Sequence, residues 1–476
     1  MSSLRLASIS LLAALACADA ACGGAPPAAL PTTAIVPPAT PPTATPDAAV
    51  AAPVAAGPTA EATLAWVIAT VEGGGKLTAA DVEARFDPTF LAQVPTAQVI
   101  AIFGQLSGQL PPIKVLEQKG EPPLRVTALL DTAEGGVRVT VGMTKTAPRQ
   151  IETLLFQAAT AEAPPKTYGD AVAQLTRAGA RSQLFIAELE RGRCVPRQNH
   201  NTTDTLAIGS TFKLWVLLAV DEKLRRGKGT GWDTSLPIRD VAKSLPSGEM
   251  QDLAAGTERT LRQYAEKMIS ISDNTATDHL IDHVGRAAVE KALKLARHGK
   301  PAANVPFLRT REMFGLKLAA SADEIAAYKK APVARKRKLL DELRTRPISV
   351  ETAVAEWKTP RHLDLEWFAD GRDLCNVMAE LGKRGKLDPG SELLTILGKN
   401  PGVPIDAAQW TYVGFKGGSE PGVMNLTWLL RRADGTWFVV VVAVNDDGKA
   451  IDEGLVVNAA AGTLSILGAE AAAPPR

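Results

Sequence analysis

Ser210 and Lys213 are the two reactive side chains in an otherwise almost wholly apolar run from Ala207 to Val220. Residues at i and i+3 share a helix face, so this spacing sets the lysine amine beside the serine hydroxyl with no loop needed to join them. A serine hydroxyl alone is a weak nucleophile. An amine that has lost its proton, through burial or a neighbouring cation, can take the serine proton and activate the oxygen. The chemistry implied is acyl transfer through a serine ester. Gly209 frees the backbone just before the serine, and Leu214, Trp215, Val216, Leu217, Leu218 and Val220 describe a helix buried on every side, expected to start at Ser210. An isolated S-x-x-K is more often a capping serine followed by a lysine whose head reaches water, so the pair needs partners before it means chemistry.

Two stretches downstream supply them. Ser272-Asp273-Asn274 breaks a helical pattern formed by Leu261, Tyr264, Ala265, Met268 and Ile269, with a new helix expected from Thr275. Lys416-Gly417-Gly418-Ser419 closes a strand-like segment that begins at Trp410. The order S-x-x-K, S-D-N, K-G-G resembles the serine β-lactamase and penicillin-recognising peptidase superfamily, in which three such motifs line one cleft. The resemblance implies Ser210 as nucleophile, Lys213 as its base, Ser272 as proton shuttle to the leaving nitrogen, and Asn274 as a hydrogen-bonding partner of the substrate amide and Lys213. Asp273 is expected to hold its own loop. Lys416 brings a cation that attracts a substrate carboxylate and favours neutral Lys213, Gly417 and Gly418 admit the substrate backbone, and the amides of Ser210 and Ser419 form an oxyanion hole.

Two departures from the family pattern matter. Gly417 stands where the family has a threonine or serine whose hydroxyl binds the substrate carboxylate. The glutamate of E-x-x-L-N, which activates water to release the acyl-enzyme in class A β-lactamases, is also absent between Asn274 and Lys416. Glu312 is the nearest stand-in, but behind Thr310 as N-cap it reads first as a helix-end carboxylate and is not counted as catalytic. Deacylation is therefore expected to be the slow step. His279 and His283 lie four apart on a helix, but the glutamate of H-E-x-x-H and a third ligand are lacking, so no metal site is expected and no cofactor is needed. The stretch 329–346 holds eight basic residues against Asp341 and Glu342 and reads as a solvated helix.

The elements around these motifs fall into four parts. Arg5 followed by an apolar stretch from Leu6 to Ala16 makes 1–24 a signal peptide, with cleavage after Ala20 and lipid attachment at Cys17 or Cys22 as competing outcomes. Residues 25–58, nearly all Ala, Pro, Thr and Val, form an extended tether that cannot bury a core. Within 59–158, helices Ala60 to Val71 and Ala97 to Leu106 precede strands Ile113 to Gln118, Leu124 to Asp131, Gly136 to Met143 and Gln150 to Gln157, with Glu134-Gly135-Gly136 as a hairpin turn. This outline is similar to a cone-shaped α+β module of the nuclear-transport-factor type, as found before a β-lactamase-like domain in a two-domain enzyme of clavulanic acid gene clusters. Residues 165–470 then run as helix Tyr168 to Ala178, strand Ser182 to Glu190, a second strand, the catalytic helix and a mostly helical stretch to Leu397. Strands Tyr412 to Lys416, Val423 to Arg432 and Trp437 to Asn445 and a helix from Ile451 to Leu467 complete it.

The fold class expected is thus α+β: a β-lactamase/DD-peptidase-like domain, with an antiparallel sheet and an inserted helical subdomain, preceded by the small module. A net charge of +2 gives no argument for a nucleic-acid partner. The expected partner is a small β-lactam or a peptidoglycan-like amide or ester, met by an exported, periplasmic or envelope-associated monomer. Cys194 and Cys375, the only cysteines of the folded part, are equally readable as a disulfide or as two buried thiols. Three functions compete: a β-lactamase, a peptidoglycan D,D-carboxypeptidase or esterase with weak β-lactam turnover, and a catalytically idle penicillin-binding module.

Overall fold

The computed structural model describes residues 57–470, apart from 93, 134, 228–230, 245–246, 345 and 347–356. The signal peptide, nearly all of the tether and Glu134 of the hairpin turn lie outside the described residues.

The first part of the chain is built on α1 (Ala60–Glu72), α2 (Thr96–Gln109) and four antiparallel strands, β1 (Lys114–Glu121), β2 (Arg125–Thr132), β3 (Gly135–Met143) and β4 (Ile151–Ala158), in the order β1-β2-β3-β4. Leu64, Val67 and Val71 of α1 and Val99, Phe103 and Leu106 of α2 meet Val126, Ala128, Leu130, Val137, Val139 and Val141, alternate residues of the two central strands, in a core of their own. β1 is exposed along its whole length and carries Lys114, Glu117, Lys119 and Glu121, charges that keep an open sheet edge from pairing with another chain. Two short helices, Ala79–Arg85 and Pro88–Leu91, were not anticipated; each is too brief to show a helical period.

The second part wraps a five-stranded antiparallel sheet. After α3 (Tyr168–Ala178) come β5 (Arg181–Glu190) and β6 (Arg193–His200). The chain then enters the helices, which include α4 (Lys213–Arg226), α5 (Leu261–Ser270), α6 (Asn274–Val284), α7 (Arg286–Leu295), α8 (Thr310–Phe314) and α9 (Gly371–Arg384). It returns as β7 (Trp410–Glu420), β8 (Val423–Arg432) and β9 (Trp437–Asn445) and ends in α10 (Glu453–Ala469). The sheet order is β7-β8-β9-β5-β6, so both ends of this part build one sheet around the helical insertion. This is the antiparallel-sheet-plus-helices fold expected from the sequence.

β9, read as Trp-Phe-Val-Val-Val-Val-Ala-Val-Asn, is buried at every position because helices cover both faces. Val439 and Val441 pack toward α4 and α9, while Phe438, Val440, Val442 and Val444 pack toward α3 and α10. Every residue of α4 from Lys213 to Asp221 is buried, as its apolar run requires. Cys194 of β6 and Cys375 of α9 form a disulfide with Cα atoms 6.3 Å apart, which decides between the two readings left open for these cysteines.

Candidate active site

Ser210 does not sit on the α-helix. It lies in a 3-10 turn, Gly209–Phe212, and α4 begins only at Lys213. In a 3-10 turn the side chains at i and i+3 eclipse, which serves the pair better than the α-helix start expected, and Lys213 Nζ lies 3.0 Å from Ser210 Oγ. The turn is held from both sides. Asn445, at the end of β9, accepts from the Ala207 amide at 2.8 Å and donates to its carbonyl at 3.0 Å, while the Ile208 amide donates to the Trp367 carbonyl at 3.0 Å. β7 crosses the turn backbone to backbone. A Cβ on Gly418 would stand 2.2 Å from the Ile208 carbonyl oxygen and 2.4 Å from the Ser210 nitrogen. Gly209 has φ +48, and a Cβ there would stand 3.0 Å from the Ser419 nitrogen. Glycine at both crossing points is what lets the backbones of Ser210 and Ser419 come together.

Lys213 is the hub of the site. Its amine lies within hydrogen-bond distance of Ser210 Oγ, the Ser272 carbonyl (2.7 Å), Ser272 Oγ (2.9 Å) and Asn274 Oδ1 (2.7 Å). Lys416 approaches from the strand side and donates to Ser272 Oγ at 3.1 Å and to the Gly417 carbonyl. The Ser272 hydroxyl thus bridges two buried amines, while Ser210, Ser272, Gly417 and Ser419 are partly exposed in front of them. The predicted residues Ser210, Lys213, Ser272, Asn274, Lys416, Gly417, Gly418 and Ser419 all meet at this one place.

The break between α5 and α6 is what aims Ser272. Ser272 adopts φ +59, an uncommon conformation for a residue with a Cβ, and α6 resumes at Asn274, one residue earlier than expected. The conformation is fixed by Asp273, whose buried carboxylate accepts from the amides of Ala276 (2.7 Å), Glu249 (2.8 Å) and Met250 (2.9 Å). Ser247, not anticipated from the sequence, donates to the Ser272 carbonyl at 2.7 Å and accepts from the Asn274 amide at 2.9 Å.

Burial dominates the electrostatics. It lowers the pKa of Lys213 well below the usual lysine value, and the neighbouring Lys416 charge lowers it further. Burial also pushes Lys416 down to about 7. Asp273 is moved the other way, because its burial outweighs the three amides that favour its charged form.

The two departures noted in the sequence have structural counterparts. Gly417 is covered by Phe415: a Cβ at 417 would stand 2.9 Å from Phe415 Cζ and 3.3 Å from Leu426 Cδ2. Phe415 is itself packed against Trp428, ring centres 5.0 Å apart, in the core on the far face of the sheet. Glu312 is fully buried and engaged. It takes a two-pronged contact from Arg286 (2.6 and 3.0 Å), another from Arg309 Nη1 (2.9 Å) and the Arg309 amide (2.8 Å). Arg309, not Thr310, caps α8. The Thr310 hydroxyl instead donates to Asp278 Oδ1 (2.9 Å) and lies 2.8 Å from Ser244 Oγ. Asp278, pushed up to about 6 by burial, is occupied by these bonds and the amides of Thr310 and Arg311.

His279 uses both ring nitrogens on backbone, one on the Arg239 amide and one on the Thr275 carbonyl. The basic stretch forms two helices, Ala322–Lys330 and Val333–Arg344, broken at Pro332, with Arg337 on Glu290 and Arg344 on Asp282.

The fold is of the β-lactamase/DD-peptidase kind, a β-lactamase-like domain behind a separate N-terminal one. Comparison with known families narrows this. Residues 168–327 match the model of the Beta-lactamase enzyme family, so the segment bearing Ser210, Lys213, Ser272 and Asn274 is serine β-lactamase-like. Residues 56–144 match a second family model, described as ORF 12 gene product N-terminal. Similar solved structures include a β-lactamase from Sphaerobacter thermophilus DSM 20745, 21% identical, covering 65% of this chain and 98% of that one with a TM-score of 0.44. A β-lactamase from Chitinophaga pinensis DSM 2588 is 18% identical over 64% and 100% of the two chains, TM-score 0.43. PBP-A is 17% identical over 64% and 97%, TM-score 0.40. No curated protein matches the chain at a significant level.

Proposed function

We propose that this chain is an exported serine hydrolase that acylates on Ser210 and hydrolyses β-lactams. One observation carries the reading: the buried Lys213 amine touches Ser210 Oγ, Ser272 Oγ and Asn274 Oδ1 at once, with Lys416 on the far side of Ser272. Neutral Lys213 takes the Ser210 proton as Oγ attacks the lactam carbonyl. The negative charge formed on the carbonyl oxygen is met by the amides of Ser210 and Ser419. As the C–N bond breaks, Ser272 gives its proton to the leaving nitrogen and recovers one from Lys213. Asn274 binds the substrate amide, and Lys416, as ammonium, draws a substrate carboxylate to the cleft. Export is supported by the apolar N-terminal stretch and by the Cys194–Cys375 pairing, which suits an oxidising compartment.

A second reading, a D,D-carboxypeptidase or esterase with weak β-lactam turnover, is favoured by the engagement of Glu312, which leaves the acyl-enzyme without the family's usual base. An idle penicillin-binding module predicts no acylation at all. Labelling with a fluorescent penicillin tests the chemistry: the wild type is expected to take one label, and Ser210→Ala and Lys213→Ala none, while both still unfold cooperatively. Label retained in the serine variant would overturn the assignment.

A further inference from the structure

The Lys213 amine is oriented by groups that can only accept. A neutral lysine has two hydrogens and one lone pair, and the Ser272 carbonyl (2.7 Å) and Asn274 Oδ1 (2.7 Å) have no hydrogen of their own to offer. The two hydrogens go to these oxygens, which leaves the lone pair for the hydroxyls of Ser210 (3.0 Å) and Ser272 (2.9 Å). The same two oxygens would hold an ammonium more tightly, since hydrogen bonds from a charged donor are the stronger ones. A base built this way works best when something limits how far its acceptors favour the charged form.

Ser247 is placed to do that. Its hydroxyl donates to the Ser272 carbonyl at 2.7 Å, the same distance as Lys213, and among the described residues these are the two donors to that oxygen. The donated hydrogen sets the positive end of a dipole on an oxygen that would otherwise face the amine alone, which weakens that oxygen's pull on an ammonium. Ser247 is held in this position by its loop. Its own carbonyl accepts from the Asn274 amide at 2.9 Å. On one side of it Ser244 exchanges two hydrogen bonds with the Thr275 hydroxyl, both 2.9 Å, and on the other the amides of Glu249 and Met250 end on Asp273. The charged groups around Lys213 are Lys416 on β7, Asp273 at the break between α5 and α6, and Asp278 on α6, while Glu249 of the loop is paired with Lys267. Ser247 adds a dipole to this set and no charge.

We infer that Ser247 is a positioning residue for acylation, which acts through the Ser272 carbonyl to keep Lys213 neutral with its lone pair on Ser210. The inference rests on the acyl-enzyme reading above and adds no step to it. Lys213 takes the Ser210 proton as the ester bond forms. The ammonium so made passes a proton to Ser272 Oγ as Ser272 protonates the leaving nitrogen, so the amine ends acylation neutral, with its two hydrogens on the same two oxygens.

The test is the pH dependence of acylation, read as the rate at which a fluorescent penicillin labels wild type, Ser247→Ala and Ser247→Thr. Losing the hydroxyl frees the carbonyl for an ammonium, so the acid limb should move up by about half to one pH unit, the size of one net hydrogen bond. Labelling below the limb is then about three- to tenfold slower, while the plateau above it stays within about threefold of wild type. Ser247→Thr keeps the donor and should keep the wild-type limb. If Ser247→Ala does not fold, Ser247→Cys, whose thiol is only a weak donor, should move the limb the same way. A limb that stays in place while the rate falls equally at every pH overturns the inference, because Ser247 would then only shape its loop. A threonine variant with the alanine variant's limb, or a wild type with no acid limb, overturns it as well. A wild type that takes no label from any β-lactam overturns the proposed function, and this inference with it.

Discussion

Replacing Lys416 by Met should change how stability depends on pH. Burial brings Lys416 from 10.5 down to about 7, a difference of 3.5. At about 1.4 kcal/mol per pKa unit, this means the folded state disfavours the charged amine by roughly 5 kcal/mol. The sign follows from proton counting. Between pH 7 and 10.5 the unfolded chain holds a proton that folded Lys416 has released, so stability rises with pH in this window. Below pH 7 both states are protonated and the full penalty stands. One such group contributes up to ~1.4 kcal/mol per pH unit, and because folded Lys416 is only half deprotonated at pH 7 the rise between pH 7 and 9 is roughly 2 kcal/mol. Lys213, also lowered by burial and by the Lys416 charge, acts in the same direction, so the informative quantity is the difference between the two proteins. Methionine fills similar space without a charge. Urea unfolding at pH 7, 8 and 9 should show the variant more stable than wild type at pH 7, with a rise toward pH 9 smaller by about 2 kcal/mol. Identical slopes would refute a depressed Lys416, and with it the argument that two crowded amines keep Lys213 neutral.

Gly417→Thr restores the family's hydroxyl but drives its Cβ into Phe415, so a loss of about 1–3 kcal/mol in denaturant stability is expected. Combined with Phe415→Leu, the same threonine should improve binding of a β-lactam carboxylate over its methyl ester; equal effects on both forms would dismiss the hydroxyl's role. Glu312→Gln breaks a buried ion pair with Arg286 and Arg309 and should cost roughly 3–5 kcal/mol by urea unfolding while leaving adduct decay unchanged. Slower decay in that variant would return Glu312 to the mechanism.

Much of this architecture was readable from periodicity. Strands Val423–Arg432 and Trp437–Asn445 and helix Tyr168–Ala178 fall at the bounds their patterns suggest, because long apolar runs with turn residues at both ends leave little choice. The three motifs likewise fixed which eight residues should meet. Contacts of high sequence separation were not readable. Nothing in the sequence around Ser247 marks it as a partner of Ser272, and Glu312 looked like a helix-end carboxylate because Arg286, its partner, lies on another helix. The 3-10 turn at Ser210 was hidden for the same reason: it is shaped by β7 crossing from the other end of the chain. The buried cluster of Lys317, Glu366 and Glu420 was hidden too, since only the fold brings the three together.

The most direct test of the central claim is a time course of intact mass after mixing the wild type with a penicillin, followed by peptide mapping. Acylation on Ser210 predicts a one-to-one adduct on the peptide containing that residue, a stoichiometric burst of opened penicillin, and decay slower than formation. An adduct on any other residue, or no adduct at any time with substrate left intact, would contradict it.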